Sequence, residues 1–518
     1  MSWWWLLFGP LLVWMGIEIV KDLIAYWRTL KYKAQGFHHR YVFLMGNISL
    51  RFPDKSVFPQ IMNNWKKSLS RAGSKPGLVV NSFPRGRAMI YLTDPTLVHE
   101  FLLKDHSVCR RHDFLEEDTH YNESFPFKFG PQAEQARERF VNLFRRDKME
   151  GMVEVLRKDI RNHMLSLQKR SSEGNSTTAT SFTSDWKEIT RECMFKITNS
   201  IFFGSSENPV RVKSQDNKIY GDAVLQYLEG PYRDTLNSQL NTMLYRLPEK
   251  LKLLKSANQA AQTRSELVSV LRTEYLRRRN DPAHVPSWNF VDLKIAATTG
   301  TDPATVETAV EQIFEEICLY VIAGLNTTRK SVNGTVYQMA LHPEFTEKLY
   351  SEMCQFDLGK GSKTPITLEL LDSMNYLDMF FKESQRYVQP FSQSFDRMVL
   401  EDFSLGKYRF HKGDLIVIPF TYHFFVDAYW KDPLQFNPER FSQGLPKTVP
   451  PMAFIPFGAG KRMCTGRVIA ETVVKIFIIE VLQKYTLSLP EGKSAAPYII
   501  ENRRPIRQNY TIVCTHRL

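Results

Sequence analysis

Residues 457–466 read FGAGKRMCTG and contain one cysteine, Cys464, among three glycines and two adjacent cations. Gly458 and Gly460 allow backbone angles that a side chain disfavours, so the stretch predicts a tight turn rather than a strand. From Arg467 onward, a mostly apolar run without proline predicts a helix. Cys464 is therefore predicted to lie on a glycine-rich loop directly before the N-terminus of a helix.

This position favours a thiolate at Cys464. Free backbone N–H groups and the positive end of the helix dipole stabilise negative charge there, and Arg462 adds a positive charge two residues away. Such surroundings lower the pKa of a cysteine and make it a metal ligand or a nucleophile. For the residue type alone, a buried cysteine acting as a small hydrophobic side chain is the simpler alternative.

A phosphate-binding loop is excluded by the residues that flank Gly460 and Lys461. Walker A needs a glycine five residues before this pair and Ser or Thr after it, and Ile455 and Arg462 occupy those places. The third interpretation is a single axial thiolate, Cys464, that holds a haem iron.

A second unusual stretch, AGLNTT at residues 323–328, lies inside a segment that predicts one long helix over 305–340. Glycine in a helix interior costs about 1 kcal/mol relative to alanine. Gly324 therefore indicates that something flat approaches the backbone closely. Apolar residues from Val306 to Leu325 recur at helical spacing, a pattern that is more often core than active site.

Two charged motifs follow. Glu383 and Arg386 are three residues apart in a predicted helix over 375–388, which places both on one face. The sequence PERF occupies residues 438–441 and contains Arg440. Exposed to solvent, a Glu–Arg pair would contribute only about 0.2–0.5 kcal/mol and would be ordinary.

These four stretches, taken in order, resemble the cytochrome P-450 superfamily. AGLNTT, E-x-x-R, PERF and the cysteine loop occur in the family's order between residues 323 and 466, and a weaker resemblance extends from about residue 78 to the C-terminus. The resemblance implies a mainly α fold with small β-sheets. It also implies a haem-thiolate catalytic domain over 36–518 that binds haem b, iron protoporphyrin IX, with Cys464 as the axial ligand.

The resemblance further implies which residues surround the haem. Phe457 and the loop glycines would shape the pocket behind the sulfur, and arginines would contact the propionates. Arg137 stands where the family has the arginine of a W-x-x-x-R pattern, but Ala133 replaces the tryptophan, so a solvated helix arginine stays open. The implied cofactor-binding residues are Cys464, Arg462, Phe457, Gly458, Gly460, Gly466, Arg137 and Arg397.

On the oxygen side, the resemblance implies that Ala323, Gly324, Asn326 and Thr327 line the distal haem face. Thr327 would orient dioxygen and a proton-delivering water. Asn326 departs from the family, where an acid is usual, and an amide cannot relay a proton by titrating. A monooxygenase is the first prediction, and a haem-thiolate isomerase or peroxide-rearranging enzyme that needs no reductase is the alternative.

A structural role is implied for three charged residues. Glu383, Arg386 and Arg440 would form a buried salt-bridged triad that braces the haem loop, and such a triad is costly to break. Cys464, Glu383 and Arg386 together also argue against a membrane-tethered binding protein that has lost its chemistry.

The predicted reaction inserts one oxygen atom of O2 into a small apolar molecule of secondary or lipid metabolism. The resemblance implies electrons from NADPH through NADPH–cytochrome P-450 reductase, docking near Lys461 and Arg467, with cytochrome b5 as a further donor. The net charge is +13 and the six cysteines form no CxxC pair. Scattered cations predict contact with acidic partners or anionic lipid rather than nucleic acid, and the cysteine spacing argues against zinc and disulfides.

The N-terminus predicts a membrane anchor with linker over residues 1–35. Residues 3–20 are apolar apart from Glu18, which is at the short end of a membrane span. Cations such as Lys21 and Arg28 follow the run and none precedes it, so the catalytic domain is predicted in the cytosol at the endoplasmic reticulum membrane. A cleavable signal peptide is the alternative, but the chain lacks its basic first region.

Two further expectations concern local structure. Residues 408–410 and 415–418 predict a β-hairpin that turns at Lys412 and Gly413. The resemblance also implies that Val388, Pro390 and Phe395 face the substrate.

Overall fold

The computed structural model describes a large part of the chain, mostly beyond residue 77. The described residues are 20, 23, 27, 38–40, 78–83, 87–111, 131–174, 181–204, 207–229, 255–300, 302–391, 393–394, 397–491 and 511–517. The predicted anchor over residues 3–20 lies outside them except for Val20. Within these ranges, no helix combines the length and the apolar character that a membrane crossing requires.

Helices form most of the described structure, and apolar faces pack them into a common core. The α-helices are α1 Pro95–Val108, α2 Pro131–Leu143, α3 Arg146–Gly174, α4 Trp186–Phe203, α5 Tyr220–Glu229, α6 Lys255–Asn280, α7 Phe290–Ala297, α8 Pro303–Leu319, α9 Asn326–Leu341, α10 Pro343–Gln355, α11 Leu368–Ser373, α12 Asn375–Val388, α13 Phe420–Phe424 and α14 Arg467–Leu482.

Short strands form small sheets beside the helices. They are β1 His38–Arg40, β2 Leu78–Phe83, β3 Arg87–Leu92, β4 Cys109–Arg111, β5 Ser181–Asp185, β6 Arg211–Val212, β7 Lys218–Ile219, β8 Arg397–Val399, β9 Phe403–Leu405, β10 Tyr408–Phe410, β11 Leu415–Val417, β12 Tyr485–Ser488 and β13 Thr511–His516. The largest sheet has the order β1-β2-β3-β11-β8-β4; the others pair β9 with β10, β6 with β7, and β12 with β13 and β5. The predicted mainly α fold with small β-sheets is confirmed.

The predicted hairpin at 408–418 is wrong. Strand β10 pairs with β9, so that Tyr408 lies opposite Leu405. Strand β11 pairs instead with β3 in parallel and with β8 in antiparallel orientation. Leu415, Ile416 and Val417 are fully buried, and a strand without a solvent face belongs in the interior of a sheet. The alternation of apolar and polar residues within 408–418 does not show that β11 pairs with the distant strand β3.

The long helix predicted over 305–340 is interrupted by a π-helical turn, Tyr320–Leu325, between α8 and α9. Such turns often occur at functional sites. A Cβ atom on Gly324 would lie 3.1 Å from the Tyr320 ring, which is tighter than ordinary van der Waals contact. The flat group close to this glycine is therefore an aromatic ring one turn earlier in the same chain.

Helix α14, which follows the cysteine loop, is fixed to α3 by a buried charge cluster. Glu480 is fully buried and accepts hydrogen bonds from Arg157 at 2.9 Å and from Arg161 at 3.0 Å. Breaking such a cluster leaves a buried charge without its partner, which is strongly destabilising. The helix that carries the loop is therefore held rigidly in the core.

Candidate active site

The cysteine loop has a fixed backbone. Gly458 and Gly460 both have a φ of 70°, in the left-handed region that favours glycine. The Cys464 N–H donates to the Phe457 carbonyl at 2.8 Å, which closes the loop. A Cβ atom on Gly460 would lie 3.1 Å from the carbonyl oxygen of Leu102 in α1. The predicted turn before a helix N-terminus is therefore present, and neighbouring backbone also constrains it.

Burial sets the acidity of Cys464 differently from the prediction. Desolvation of the charged form raises the pKa of the thiol, while the Gly466 N–H and the Arg137 guanidinium act in the opposite direction. The side chain is exposed where it opens into the cavity, and the surrounding protein atoms desolvate it. In the protein alone the desolvation outweighs the loop's N–H groups and cations, whereas a coordinated metal ion would deprotonate the thiol outright.

A cavity of about 480 Å³ separates the cysteine loop from the middle of the long helix. Cys464 and Phe457 lie on one wall; Ala323, Gly324 and Thr327 lie on another. The Thr327 hydroxyl donates to the Ala323 carbonyl at 2.5 Å. The structure therefore brings the two predicted motifs to the same space, although they are far apart in sequence.

Four arginines line this cavity, and three of them, Arg137, Arg397 and Arg462, are residues that were predicted to bind the cofactor. Arg137 donates to the carbonyl of Met463 at 2.6 Å, directly beside Cys464. Burial and the nearby charge of Arg462 lower the pKa of Arg137. Cations gathered around one cavity repel each other and favour an anionic ligand. Arg137 is therefore a partly buried residue that lines the cavity.

The residues around the cavity fit a haem. A thiol sulfur is available as axial ligand, and the surrounding surface is largely aromatic and aliphatic. Arg137, Arg397 and Arg462 match the two propionate carboxylates of a haem. The apolar lining includes Phe101, Leu102, Phe140, Phe144, Leu228, Phe314, Leu319, Ile322, Phe381, Phe391, Ile418, Phe420, Pro456, Ala459, Met463, Ile469, Ala470 and Val473.

Asn326 is placed differently from the other distal residues. It does not line the cavity, and its side-chain oxygen is buried with no hydrogen-bond partner among the described residues. An unsatisfied buried acceptor costs about 1–3 kcal/mol.

The predicted glycines of the cysteine loop also differ in position. Gly458 and Gly466 line the cavity, whereas Gly460 lies outside its lining.

Glu383, Arg386 and Arg440 form a connected ion-pair cluster. The Glu383 and Arg386 side chains are completely buried and make two contacts of 2.8 Å. Arg440 donates to Glu383 at 3.1 Å. Arg386 also donates to the carbonyls of Phe424 and Pro433, at 2.9 and 2.8 Å. The cluster therefore fixes the irregular backbone between α13 and the cysteine loop.

The residues expected to face the substrate separate into different environments. Pro390 lines the cavity. Val388 does not line it but packs against α9, where a Cβ atom on Gly334 would lie 2.2 Å from the Val388 side chain. Phe395 lies outside the described residues. The expectation for Val388 is corrected by this tight crossing of α9 and α12.

Sequence reasoning missed polar residues in the cavity wall. Ser331 and Gln385 are buried, line the cavity, and form a hydrogen bond from the Gln385 amide to the Ser331 hydroxyl. Ser331 follows Thr327 by four residues, so helical spacing alone could have placed it on the same face. Arg264 and Glu315 also line the cavity and were not predicted.

Comparisons with known proteins agree with this geometry. A family model described as Cytochrome P450 matches residues 55–505. Cytochrome P450 3A18 of Rattus norvegicus is 33% identical over 190 residues, which cover 37% of each chain. Lithocholate 6-beta-hydroxylase of Mesocricetus auratus is 31% identical over 194 residues, covering 36% of this chain and 38% of that protein. The match thus spans less than half the length of these curated relatives.

A solved structure shares the fold across most of the chain. The retinoic acid-bound cyanobacterial CYP120A1 has a TM-score of 0.66 and 18% identity, covering 89% of this chain and 94% of that chain. The family model covers most of the sequence and includes the cysteine loop, the ion-pair cluster and the long helix. This chain therefore belongs to the cytochrome P450 family.

Proposed function

We propose that the protein is a haem-thiolate monooxygenase that inserts one oxygen atom of O2 into a small, largely apolar molecule. The observation that carries the proposal is that Cys464 opens into the cavity whose other wall contains Ala323 and Thr327. A sulfur ligand and a threonine hydroxyl at a helix interruption are thus available to one bound cofactor. The family membership supports the same class of reaction.

Haem b is the proposed cofactor. Cys464 would be its axial ligand, Arg137, Arg397 and Arg462 would hold its carboxylates, and Phe457 would pack behind the sulfur. When bound, a haem with a thiolate ligand activates dioxygen and favours O–O cleavage. The charge cluster around Glu383 would keep the loop backbone in place while substrates enter and leave.

Polar side chains on the cavity wall formed by the long helix and Gln385 would bind the water that delivers protons to the reaction site. The Thr327 hydroxyl already donates to Ala323, so its oxygen can accept a hydrogen bond from a cavity water. Ser331 and Gln385 offer a second place where water can bind. Asn326 cannot titrate, so in this proposal protons reach Thr327 through water and hydroxyl groups rather than through an acid.

Electrons are proposed to come from NADPH through NADPH–cytochrome P450 reductase, with cytochrome b5 as a further donor. Lys461 and Arg467 are exposed beside the loop, although Arg467 forms a 3.0 Å ion pair with Glu471. We further propose that residues 1–35 anchor the chain in the endoplasmic reticulum membrane. Residues 36–518 would form the catalytic domain on the cytosolic side. The apolar sequence of residues 3–20 and the cations that follow it support this arrangement.

Reconstitution tests the reaction. The protein with reductase, NADPH and O2 is expected to consume NADPH faster when an oxidisable ligand fills the cavity, with one product oxygen derived from O2. Omission of reductase should stop turnover. A Thr327→Ala variant should consume NADPH but couple less of it to product, because its hydroxyl no longer orients water.

The alternative is a haem-thiolate isomerase or peroxide-rearranging enzyme, which the non-titrating Asn326 favours. Such an enzyme would convert a fatty-acid hydroperoxide without reductase or NADPH. Hydroperoxide turnover at equal rates with and without reductase, together with no NADPH-dependent product from any ligand, would favour the alternative and reject the monooxygenase.

A further inference from the structure

A row of polar side chains on α9 leads away from the cavity into the protein. After Thr327, which lines the cavity, the helix carries Ser331, Thr335 and Gln338 at intervals of four, four and three residues. These intervals keep the side chains within about 80° of each other around the helix axis. Ser331, Thr335 and Gln338 are at most 4% exposed. We call these four residues the polar row.

The inner part of the polar row has atoms that no described residue pairs with. Thr335 Oγ1 and both polar atoms of the Gln338 amide make no hydrogen bond within the part of the chain that the structure describes. The hydroxyl of Ser384 in α12 is likewise buried without a partner there. Buried polar groups are almost always hydrogen-bonded, and internal water supplies the bonds that protein atoms do not. These atoms therefore favour bound water.

The polar row faces α12. The Gln385 amide of α12 donates to the Ser331 hydroxyl. Gly334, on the same face of α9, approaches Val388, which follows Ser384 by one helical turn. The row therefore lies at the contact between the two helices, where Ser384 also belongs.

The spacing of the polar row suits single water molecules. A water that bridges two polar groups spans about 5.6 Å, which is two hydrogen bonds of about 2.8 Å. Residues three or four positions apart are separated by about 4.5–6 Å along a helix. One water between successive side chains is therefore enough to connect the row.

The end of the polar row that is far from the cavity reaches the surface at His342. This residue follows Gln338 by four positions, and its backbone N–H donates to the Gln338 carbonyl at 3.0 Å. Its ring stacks on Phe436 with 5.2 Å between ring centres, and its Nδ1 lies 3.3 Å from a Glu344 carboxylate oxygen. The His342 side chain is 28% exposed and that of Glu344 is 58% exposed, so both can exchange protons with solvent.

We propose that the polar row, with bound water, is a proton path from His342 and Glu344 at the surface to the water that Thr327 holds in the cavity. This inference rests on the proposed function for the use of the protons. Positions 327 and 342 are fifteen residues apart, about 22 Å at the helical rise. The path takes the place of a titrating acid at Asn326.

Protons move along the path without a net change in its members. Each hydroxyl or water accepts one proton from its outer neighbour and releases another to its inner neighbour, so one proton passes from solvent to the cavity and no electron is transferred. Gln338 and Gln385 do not titrate. They are positioning residues that hold the water and the Ser331 hydroxyl in line.

Ordered water in a crystal structure of the haem-bound protein tests the path without any turnover. We expect water within hydrogen-bond distance of Thr335 Oγ1 and of the Gln338 amide. Thr335→Val keeps the side-chain shape but lacks the hydroxyl, so it should lose the water at Thr335 and keep the wild-type Soret band. A dry wild-type row, together with a higher Tm in Thr335→Val, would reject the path, because removal of a truly unpaired buried hydroxyl stabilises a protein.

Turnover with reductase, NADPH and an oxidisable ligand tests the transfer of protons. Thr335→Val should slow product formation by up to roughly 10-fold, the rate equivalent of one hydrogen bond, and should increase the solvent isotope effect in D2O. Thr335→Ser should restore both values. His342→Phe keeps the stack on Phe436 but lacks the ring nitrogens, and it should behave like Thr335→Val.

Thr198→Val is the matched control. Thr198 is a buried helical threonine on α4 that lies outside the cavity lining, and its hydroxyl donates to the Met194 carbonyl at 2.7 Å. The substitution should leave the product rate, the solvent isotope effect and the water positions unchanged.

Several outcomes would overturn the proposal. Wild-type rates and isotope effects in Thr335→Val would reject the path, and the same result in His342→Phe alone would reject its surface end. Equal losses in Thr335→Val and Thr198→Val would reduce the row to a structural role. A wild-type protein without reductase-dependent turnover would reject the proposed function, whereas the water positions and the Tm of Thr335→Val still decide whether the hydrated row exists.

Discussion

The two walls of the cavity are built by different means. The wall around Cys464 depends on left-handed glycines and on a fully buried charge cluster at Glu383. The wall formed by the long helix depends on close packing, and it contains a π-helical turn and a buried Asn326 oxygen that has no hydrogen-bond partner among the described residues. The wall around Cys464, here called the rigid wall, is fixed by strong, specific interactions. The wall formed by the long helix, here called the packed wall, has irregular backbone geometry of a kind that is frequent at functional sites.

The largest expected effect comes from breaking the rigid wall at Arg386. Arg386→Met should destabilise the protein by about 3–5 kcal/mol, because Glu383 is left buried without its main partner. Unfolding in urea and the haem content of the purified protein measure this effect.

Arg409→Met provides the control, since Arg409 pairs with Asp402 at 3.4 Å on the surface. It should change stability by at most about 1 kcal/mol. If both variants lose the same stability and haem, the triad does not brace the loop.

The buried His423, which precedes the Phe424 whose carbonyl Arg386 binds, makes the stability of the protein dependent on pH. Burial lowers the pKa of His423 from 6.5 to about 4, and its ring donates to the Leu92 carbonyl at 3.1 Å. The unfolded chain binds this proton at higher pH than the folded protein, so stability falls as pH drops from 6.5 towards 4, by about 3 kcal/mol for this group.

His423→Gln, which can keep a donor for Leu92, should remove this part of the slope. Urea unfolding at several pH values across that window measures the difference. An identical slope in the variant and the wild type would show that His423 does not titrate as described.

The packed wall is tested at the crossing of α9 and α12. Gly334→Ala should cost about 1–3 kcal/mol, because the new methyl group meets Val388 at 2.2 Å. Val388→Ala should relieve part of that cost in the double variant. Thermal unfolding of the single and double variants gives the coupling, and purely additive effects would contradict the close approach.

A smaller effect is expected at Gly460 in the loop. Gly460→Ala should cost about 1–2 kcal/mol for the positive φ, with a further contribution from contact with the Leu102 carbonyl. Gly361→Ala is the matched control, since Gly361 has a φ of 74° and no atom within 4 Å of the added Cβ. Equal losses of stability would show that backbone strain alone acts at Gly460.

The sequence predicted the rigid wall better than the packed one. Gly458, Gly460 and Cys464 define their turn through local backbone preferences, and the position of the charged motif on α12 follows from helical spacing. The π-helical turn and the Val388–Gly334 contact depend on how distant helices cross, which local patterns do not contain. The pairing of β11 with β3 was not predicted either, because it also joins segments that are distant in sequence.

The Cys464 pKa shows a second limit of sequence reasoning. The loop's N–H groups and Arg462 suggested a lowered pKa for Cys464, but desolvation by the surrounding protein raises that pKa. Burial is a property of the assembled fold. Arg264 and Glu315 were missed for a related reason, because charged residues on helices are ordinary until the cavity that they share is known.

The central claim is that the Cys464 sulfur is the axial ligand of a haem iron. The most direct measurement is the absorption spectrum of the reduced, carbon monoxide-bound protein for the wild type, Cys464→Ala and Cys318→Ala. Cys318 is a second cysteine in the cavity lining and provides the matched control. We expect the red-shifted thiolate-type Soret band in the wild type and in Cys318→Ala, and its complete loss in Cys464→Ala. A normal thiolate-type band in Cys464→Ala would contradict the account.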